Sequence, residues 1–226
     1  MTERIVSLLI GYAFGLFQTG YLYGKMKGID IRNYGSGNAG TTNALRTLGK
    51  KAGLITFLGD CLKCLLAVLA ARIIFGAAHP EQRMVYGMYA AAGAILGHNF
   101  PFYLKFKGGK GIACTAGLIA SFNWVMIIIG LVCFLTPFLT THYVSLGSLL
   151  VYIGFVVGMV IMGQTGYLGM EQIYLNEMYV IAVLLAVMAF WRHRQNIVRL
   201  IHGSERKTYL SKKNRAEENI QNNISA

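Results

Sequence analysis

Six long apolar runs follow one another along the chain. They cover residues 5–23, 52–75, 84–96, 112–139, 143–162 and 178–191. A helix of about 20 residues crosses the roughly 30 Å hydrocarbon core of a membrane, whereas the strands of a membrane barrel are shorter and alternate in polarity. These runs do not alternate. The pattern therefore predicts an all-α integral membrane protein.

Composition supports the same class. Of the 226 residues, 55% are hydrophobic and only 13% are charged, against about 25% charged residues in an ordinary soluble domain. A disordered chain would combine low hydrophobicity with high charge, so that class is excluded as well. We expect residues 1–207 to form a single polytopic membrane domain. The polar residues 208–226 are expected to form a cytoplasmic tail.

Positive charge is concentrated in three segments. The formal net charge is +12, and most of the 21 Lys and Arg residues lie in segments 25–51, 105–110 and 192–215. Segment 164–177 has neither lysine nor arginine. Because basic loops stay in the cytoplasm, the three segments are predicted to be cytoplasmic. The N-terminus is then outside and the C-terminus cytoplasmic.

If all three basic segments are cytoplasmic, the run 112–139 cannot be a single helix that crosses the membrane, so it must contain a break. It is the longest run and contains Ser121, Asn123 and Trp124 near its middle. We interpret it as two short helices that dip into the membrane and return. The prediction is seven helices, five full crossings plus these two short helices. Non-helical backbone at membrane depth must face protein or water, so a cavity near the cytoplasmic face is expected.

The first basic segment contains a run of glycine, hydroxyl and amide residues that ends in an arginine. Residues 35–46 read G-S-G-N-A-G-T-T-N-A-L-R. Glycine lets backbone N–H groups approach an anion, and a guanidinium matches phosphate or carboxylate geometry. The segment therefore predicts either an anion site or a turn-rich loop without a ligand.

The second basic segment ends in Gly108-Gly109-Lys110-Gly111, directly before an apolar run. Free N–H groups at a helix start favour a phosphate. The Walker A pattern is absent from this segment, so nucleotide hydrolysis is not supported.

The third basic segment and one apolar run carry further polar residues. His193, Asn196 and Arg199 follow one another at helical spacing and would form one polar stripe, or part of a basic helix on anionic lipid. Asp60 and Lys63 lie inside an apolar run, where charge is costly. They either pair with each other, or Lys63 points at an anionic substrate. We expect no metal site, because no ligand set of suitable spacing is evident.

In these segments the sequence resembles the PlsY family, the bacterial acyl-phosphate:glycerol-3-phosphate acyltransferases. The motifs that carry the resemblance occur in order, as G-S-G-N-x-G-x-T-N-x-x-R, D-x-x-K, G-H-x-F-P with G-G-K-G, and H-x-x-N-I-x-R-L-x-x-G-x-E. The resemblance covers about residues 5–207. It implies a multi-pass protein of the bacterial inner membrane with its active site facing the cytoplasm.

The resemblance also implies a reaction. A fatty acyl group moves from acyl phosphate to the sn-1 hydroxyl of glycerol 3-phosphate, and lysophosphatidic acid and phosphate are released in the first acylation of phospholipid synthesis. Neither acyl-CoA nor acyl carrier protein serves as donor. No cofactor and no nucleic acid are expected, membrane lipid surrounds the protein, and a monomer is expected to be active.

Site residues follow from the same resemblance. The catalytic set comprises His193, Asn196, Lys110 and Ser145, with Ser145 either lining the site or packing a helix. His193 or the donor's own phosphate would serve as the base. The expected phosphate-binding residues are Ser36, Asn38, Thr42, Asn43, Arg46, Lys63, Gly108, Gly109, Lys110 and Gly111.

Two other classes of function fit the same residues less well. A transporter of an organic phosphate would also need broken helices and a basic cavity, but the sequence lacks two clear inverted halves. A scaffold bound to anionic lipid would not explain the G-G-K-G sequence or the His/Asn stripe.

Overall fold

The computed structural model describes residues 1–209, and this part of the chain is a helical bundle without β-strands. Short 3-10 turns occur at Ile31–Asn33, Pro80–Gln82 and Phe102–Leu104. The helices are α1 (Thr2–Gly15), α2 (Thr19–Met26), α3 (Thr41–Leu48), α4 (Lys50–Gly76), α5 (Arg83–Asn99), α6 (Ile112–Phe122), α7 (Trp124–Thr141), α8 (Val144–Gln164), α9 (Gln172–Arg192) and α10 (Arg194–Ile201).

The prediction of an all-α integral membrane fold is confirmed. Five segments of the described chain are long and apolar enough to cross a membrane. Leucine, isoleucine and valine side chains on their outer faces are exposed, for example Leu62 and Leu66 on α4 and Val187 on α9. The five segments are Thr2–Met26, Lys50–Gly76, Trp124–Thr141, Val144–Gln164 and Gln172–Arg192.

The predicted break in the fourth apolar run occurs at Asn123. This residue is extended, and its side-chain oxygen accepts a hydrogen bond from the N–H of Met126 at 2.9 Å, as an N-cap does. The two helices differ in length, because α6 has 11 residues and α7 has 18. Of the two helices predicted to be short, only α6 is short. Helix α7 is by length and composition able to span a membrane.

The first apolar run is interrupted, which the sequence pattern did not predict. The chain leaves the helix between α1 and α2, and the amide of Gln18 fills the gap. Its Nε2 donates to the carbonyl oxygens of Gly15 at 3.1 Å, Gly97 at 3.3 Å and His98 at 3.1 Å. The break therefore joins the first run to the C-terminal end of α5.

Helices α1 and α5 pack backbone against backbone. A Cβ added to Gly11 would overlap the carbonyl oxygen of Ala90, and one added to Gly93 would overlap that of Leu8. Small residues of this kind let membrane helices approach closely. The contact fixes the end of α5, where Gly97 and His98 enter the polar end of the bundle.

The three basic segments, two of which include the short helices α3 and α10, meet around a common cavity at one end of the bundle. The predicted domain boundary after residue 207 lies close to the end of the described chain. Thr208 still contacts the bundle, since its N–H donates to the carbonyl of His142 at 2.9 Å. Beyond Tyr209, the predicted tail lies outside the described residues.

Candidate active site

A cavity of about 1090 Å³ joins three motifs, defined here as residues 35–46, 97–111 and 193–205, to an apolar groove. Its polar end takes side chains from all three basic segments, and its apolar part runs between α4, α6, α7 and α8. The predicted site residues that border it are Ser36, Asn38, Thr42, Asn43, Arg46, Gly108, Lys110, Gly111, Ser145, His193 and Asn196.

Asn43 organises the first motif from inside. Its Nδ2 donates to the carbonyl oxygens of Ile31 at 3.0 Å, Tyr34 at 3.1 Å and Asn38 at 2.8 Å. Its Oδ1 accepts from the N–H of Ser36 at 2.8 Å. The side chain is buried and both ends of the amide are engaged. Asn43 therefore shapes the loop and holds Ser36 in place, while its contact with phosphate stays a prediction.

Arg46 ties the first motif to the C-terminal segment, defined here as residues 203–209. Its Nη2 donates to the carbonyl of Arg206 at 2.9 Å and to the hydroxyl of Thr208 at 2.6 Å. Arg206 returns the contact by donating to the carbonyl of Gly35 at 3.1 Å. The C-terminal segment thus lies beside the first motif at the polar end of the cavity.

The glycine-rich loop folds back onto the end of α5. The N–H of Gly109 donates to His98 O at 3.0 Å, and that of Gly108 donates to Asn99 O at 3.3 Å. Arg192 holds the other side of the loop by donating to Gly109 O at 2.6 Å. The N–H groups of Gly108 and Gly109 are thus used inside the protein, contrary to the expectation that they face an anion. Glycine is needed here because the loop lies very close to α5, and a Cβ on Gly109 would overlap the imidazole of His98.

Lys110 projects from this loop to the third motif. Its Nζ donates a short hydrogen bond to Asn196 Oδ1. Burial lowers the pKa of Lys110 to about 8, and the neighbouring arginines Arg199, Arg192 and Arg46 act in the same direction, while Glu205 opposes them. Because this ammonium is partly removed from water, its attraction to an anion that enters the cavity is stronger than it would be at an exposed surface.

Glu205 connects three elements, and reasoning from residue patterns assigned it no role. Its Oε1 accepts from Ser145 Oγ at 3.0 Å and from Asn196 Nδ2 at 2.7 Å, and its Oε2 accepts from Arg199 Nε at 2.7 Å. An acidic residue within a basic segment was the available signal. Glu205 therefore sets the orientation of both Ser145 and Asn196.

His193 lies between α9 and α10, and one of its ring nitrogens is hydrogen-bonded to the backbone. Nδ1 lies 2.8 Å from the carbonyl oxygen of Ala189, which can only accept, so Nδ1 carries the proton. Nε2 then has a lone pair. Burial lowers the pKa of His193 to about 4, and the nearby Lys110 ammonium contributes. His193 is therefore a neutral hydrogen-bond acceptor near neutral pH.

Lys63 lies beneath the glycine-rich loop and does not border the cavity. Its ammonium donates to Phe17 O at 2.6 Å, to Asp60 Oδ1 at 2.8 Å and to His98 Nδ1 at 2.9 Å. Of the two alternatives from the sequence, the pairing of Asp60 with Lys63 is the one present. All three ammonium hydrogens of Lys63 have acceptors within the described residues, so a contact with a substrate phosphate would require one of these hydrogen bonds to break.

The apolar groove continues from the polar end along α6. Ala113, Ala116 and Ala120 line it at helical spacing, opposite Leu131 and Phe134 of α7. The other face of α6 packs on α4, where Gly117 leaves no room for a Cβ beside the carbonyl of Cys61. Small side chains on one face of α6 thus create space that an extended hydrocarbon chain can fill.

Residues 5–203 match the family model described as glycerol-3-phosphate acyltransferase. A glycerol-3-phosphate acyltransferase of Clostridioides difficile strain 630 is 38% identical over 213 residues, covering 90% of this chain and 94% of that protein. One from Thermotoga petrophila is 39% identical over 208 residues, covering 91% of this chain and 96% of the relative.

Two crystal structures are also similar. One is that of PlsY, an integral membrane glycerol 3-phosphate acyltransferase, in its glycerol 3-phosphate form. It has a TM-score of 0.79 and 30% identity, and the match covers 91% of this chain and 96% of that chain. The lysophosphatidic acid form of PlsY has a TM-score of 0.76 and 29% identity, with 91% and 95% of the two chains covered.

Proposed function

This chain belongs to the glycerol-3-phosphate acyltransferase family and is a membrane acyltransferase, and we propose that its acyl donor is an acyl phosphate. The acceptor is the sn-1 hydroxyl of glycerol 3-phosphate. The products are lysophosphatidic acid and inorganic phosphate. A similar solved structure is described with glycerol 3-phosphate and another with lysophosphatidic acid, which supports both acceptor and product.

The observation that carries the proposal is the composition of the cavity. Its polar end holds cationic groups from all three basic segments, among them Arg46 and Lys110, and its other part is an apolar groove. Acyl phosphate and glycerol 3-phosphate each bring a phosphate, and the donor also brings a hydrocarbon chain. One cavity therefore meets the requirements of both substrates.

We assign one phosphate to Arg46 with the side chains of Ser36, Asn38 and Thr42. Lys110 binds the second phosphate or stabilises the oxyanion that develops at the acyl carbon. Asn43, Lys63, Gly108 and Gly109 act as positioning residues. Gly111 begins the turn into α6 at a φ of 85°, which favours glycine.

His193, Asn196 and Ser145 orient the glycerol hydroxyl. The lone pair on His193 Nε2 can accept a hydrogen bond from that hydroxyl. A group with a pKa of about 4 is a weak base, whereas the phosphate that leaves the donor gains negative charge as its bond to the acyl carbon breaks and can take the proton instead. The hydroxyl oxygen attacks the acyl carbon, the bond from that carbon to the phosphate oxygen breaks, and the donor phosphate takes the proton.

We further propose that the polar end of the cavity faces the cytoplasm of a bacterial cell, with the N-terminus outside. The concentration of basic residues at this end supports that orientation. A monomer suffices, because all three motifs of one chain border one cavity. Membrane-impermeant labelling of single cysteines placed at Lys27 and at Tyr167 in intact cells tests the orientation, and only the second position should react.

Comparison of donors tests the proposed reaction. The purified protein in detergent micelles receives radiolabelled glycerol 3-phosphate with either palmitoyl phosphate or palmitoyl-CoA, and labelled lysophosphatidic acid is measured. We expect product with palmitoyl phosphate alone. Product only with palmitoyl-CoA would overturn the proposed donor. A folded sample without product, but with glycerol 3-phosphate flux in sealed vesicles, would favour the transporter alternative.

A further inference from the structure

Two buried hydroxyl groups lie behind the turn that carries Lys110. Thr115 on α6 and Tyr152 on α8 are fully buried, and neither is among the described residues that border the cavity. We propose that Thr115 and Tyr152 are positioning residues for the reaction, which hold the Lys110–Gly111 turn and thereby place the Lys110 ammonium at the polar end of the cavity. The proposal rests on the proposed function, in which Lys110 acts on a phosphate or on the developing oxyanion.

The direction of both hydrogen bonds follows from the chemistry of the groups. Thr115 Oγ1 lies 3.0 Å from the carbonyl oxygen of Gly111, which can only accept, so the single hydroxyl hydrogen of the threonine is donated to it. The Tyr152 hydroxyl lies 2.6 Å from the same Oγ1 and is therefore the donor in that contact. Tyr152 thus stabilises the threonine rotamer in which the hydroxyl points at Gly111.

The Gly111 carbonyl lies where the glycine-rich loop becomes helix α6. Gly111 has a φ of 85°, and its carbonyl also accepts the first hydrogen bond of the helix, from the N–H of Thr115 at 2.8 Å. Two donors of Thr115 therefore fix the orientation of the peptide group that follows Gly111. This peptide group is one residue beyond Lys110, so a change in its orientation displaces the base of the lysine side chain.

The loop is thus anchored on both sides of Lys110. Before Lys110, the N–H groups of Gly108 and Gly109 donate to carbonyl oxygens of α5. After it, Thr115 and Tyr152 connect the turn to α6 and α8. A fixed backbone confines the response of Lys110 to its side chain when an anion enters the cavity. Donors held in this way stabilise developing charge well, because they do not have to be reoriented during the reaction.

Packing alone does not require either hydroxyl. Tyr152 belongs to the same buried apolar cluster as Leu118 and Phe155. Valine and phenylalanine have nearly the shape of threonine and tyrosine, and a buried hydroxyl costs free energy unless it is hydrogen-bonded. Both hydroxyls are hydrogen-bonded in a chain that ends at the turn beside Lys110. We therefore assign the pair to this turn and not to general helix packing.

Removal of each hydroxyl tests the proposal. Thr115→Val should lower kcat/KM for glycerol 3-phosphate, with palmitoyl phosphate as donor, by about fivefold to tenfold, the usual effect of one lost hydrogen bond. Tyr152→Phe should lower it by no more than this, and the double variant should equal Thr115→Val, because Tyr152 acts through Thr115. Thr115→Ser keeps the hydroxyl and should stay within about twofold of wild type.

Two further measurements distinguish the positioning of Lys110 from a general loss of stability. In a Lys110→Ala background, Thr115→Val should cause no additional loss of activity. Burial lowers the pKa of Lys110 to about 8, and the bend of kcat/KM near that pH should move upward in Thr115→Val, because a looser turn lets water reach the ammonium. The substitution leaves in place the charged and titratable groups that face Lys110, which are Arg46, Arg192, His193, Arg199 and Glu205.

Thr165→Val is the matched control. The Thr165 hydroxyl also donates to a carbonyl four residues earlier, that of Ile161 at 2.9 Å, but at the opposite end of α8. This variant should keep the wild-type kcat/KM and pH profile. A folded wild-type protein that forms no lysophosphatidic acid would contradict the proposed function instead of this inference.

Three results would overturn the proposal. The first is a lower free energy of unfolding in Thr115→Val and Tyr152→Phe with unchanged kcat/KM and pH profile. The second is a loss in Thr115→Val that persists in full in the Lys110→Ala background. The third is failure of both variants to fold, since the pair would then serve the fold alone. If only one of them folds, that variant decides by the same measurements.

Discussion

Lys110 and Asn196, 86 residues apart in the sequence, meet at the polar end of the cavity, where the lysine ammonium donates to the asparagine side-chain oxygen. The amide nitrogen of the same asparagine donates to Glu205 at 2.7 Å. Lys110 is therefore oriented by Asn196, and Asn196 is in turn held by Glu205. A phosphate that draws the ammonium away from Asn196 would therefore change the hydrogen bonding of both Lys110 and Asn196.

Replacement of Lys110 by alanine should remove most activity without unfolding the protein. A single preorganised donor to a developing charge contributes about 10²–10³-fold in rate, and this side chain also supplies a cation for phosphate. Steady-state rates with palmitoyl phosphate measure the loss, and size-exclusion chromatography in detergent reports folding. Lys51→Ala, an exposed lysine on α4, is the matched control and should keep full activity. Loss of folded Lys110→Ala protein would contradict the assignment.

Activity should fall at alkaline pH as Lys110 loses its proton. Because burial lowers the pKa of this lysine to about 8, the cation is present below that pH and is lost above it. A plot of kcat/KM for glycerol 3-phosphate against pH should bend downward near pH 8. Lys110→Arg, whose side chain stays charged, should move that bend to higher pH. His193, with a pKa of about 4, should add no bend between pH ~6 and ~8. A bend at the same pH in wild type and Lys110→Arg would show that a group other than Lys110 causes it.

Filling the groove should change the preference for acyl chain length. Ala116→Leu adds three carbon atoms where α6 lines the groove, and each displaced methylene costs about 0.8 kcal/mol of burial. We expect kcat/KM for palmitoyl phosphate to fall about fiftyfold, and that for octanoyl phosphate to fall less. Val132→Leu, at a lipid-facing position on α7, should leave both unchanged. Equal losses for both chain lengths would show that the acyl chain lies elsewhere.

The close packing of α1 on α5 should be sensitive to a single methyl group. Gly11→Ala would place its Cβ on the carbonyl of Ala90, so the two helices must separate. We expect a loss of about 1–3 kcal/mol in the free energy of unfolding, the usual cost of overpacking. Leu9→Ala on the same helix is the control, because Leu9 is 60% exposed and faces outward. Denaturant unfolding in detergent measures both, and an unchanged Gly11→Ala would refute the packing argument.

How far the sequence predicts the fold depends on where the cause of each feature lies. The break at Asn123 was predictable, because polar residues interrupt an apolar run and Asn123 itself caps the next helix. The break before Gln18 was not, because its cause is tertiary. The amide of Gln18 is held by carbonyl groups of α5, far away in the sequence.

The same distinction applies to the site. Residue types predicted that polar residues from separate segments would meet at one end of the bundle, and Lys110, Ser145, His193 and Asn196 do border one cavity there, while anion binding stays a prediction. Composition does not reveal which polar atoms are already used. Asn43 and Lys63 have the chemistry of phosphate ligands, yet their hydrogen bonds are made to other parts of the protein. Only the fold brings Lys63 next to His98, and only that contact distinguishes a supporting residue from a ligand.

The most direct test is whether cleavage of the acyl phosphate requires glycerol 3-phosphate. Purified protein in a lipid mesophase is given palmitoyl phosphate, and inorganic phosphate and lysophosphatidic acid are measured with and without glycerol 3-phosphate. We predict that phosphate appears only when both substrates are present, in equal amount to lysophosphatidic acid. Phosphate released at the same rate without glycerol 3-phosphate, or lysophosphatidic acid formed without phosphate release, would contradict it.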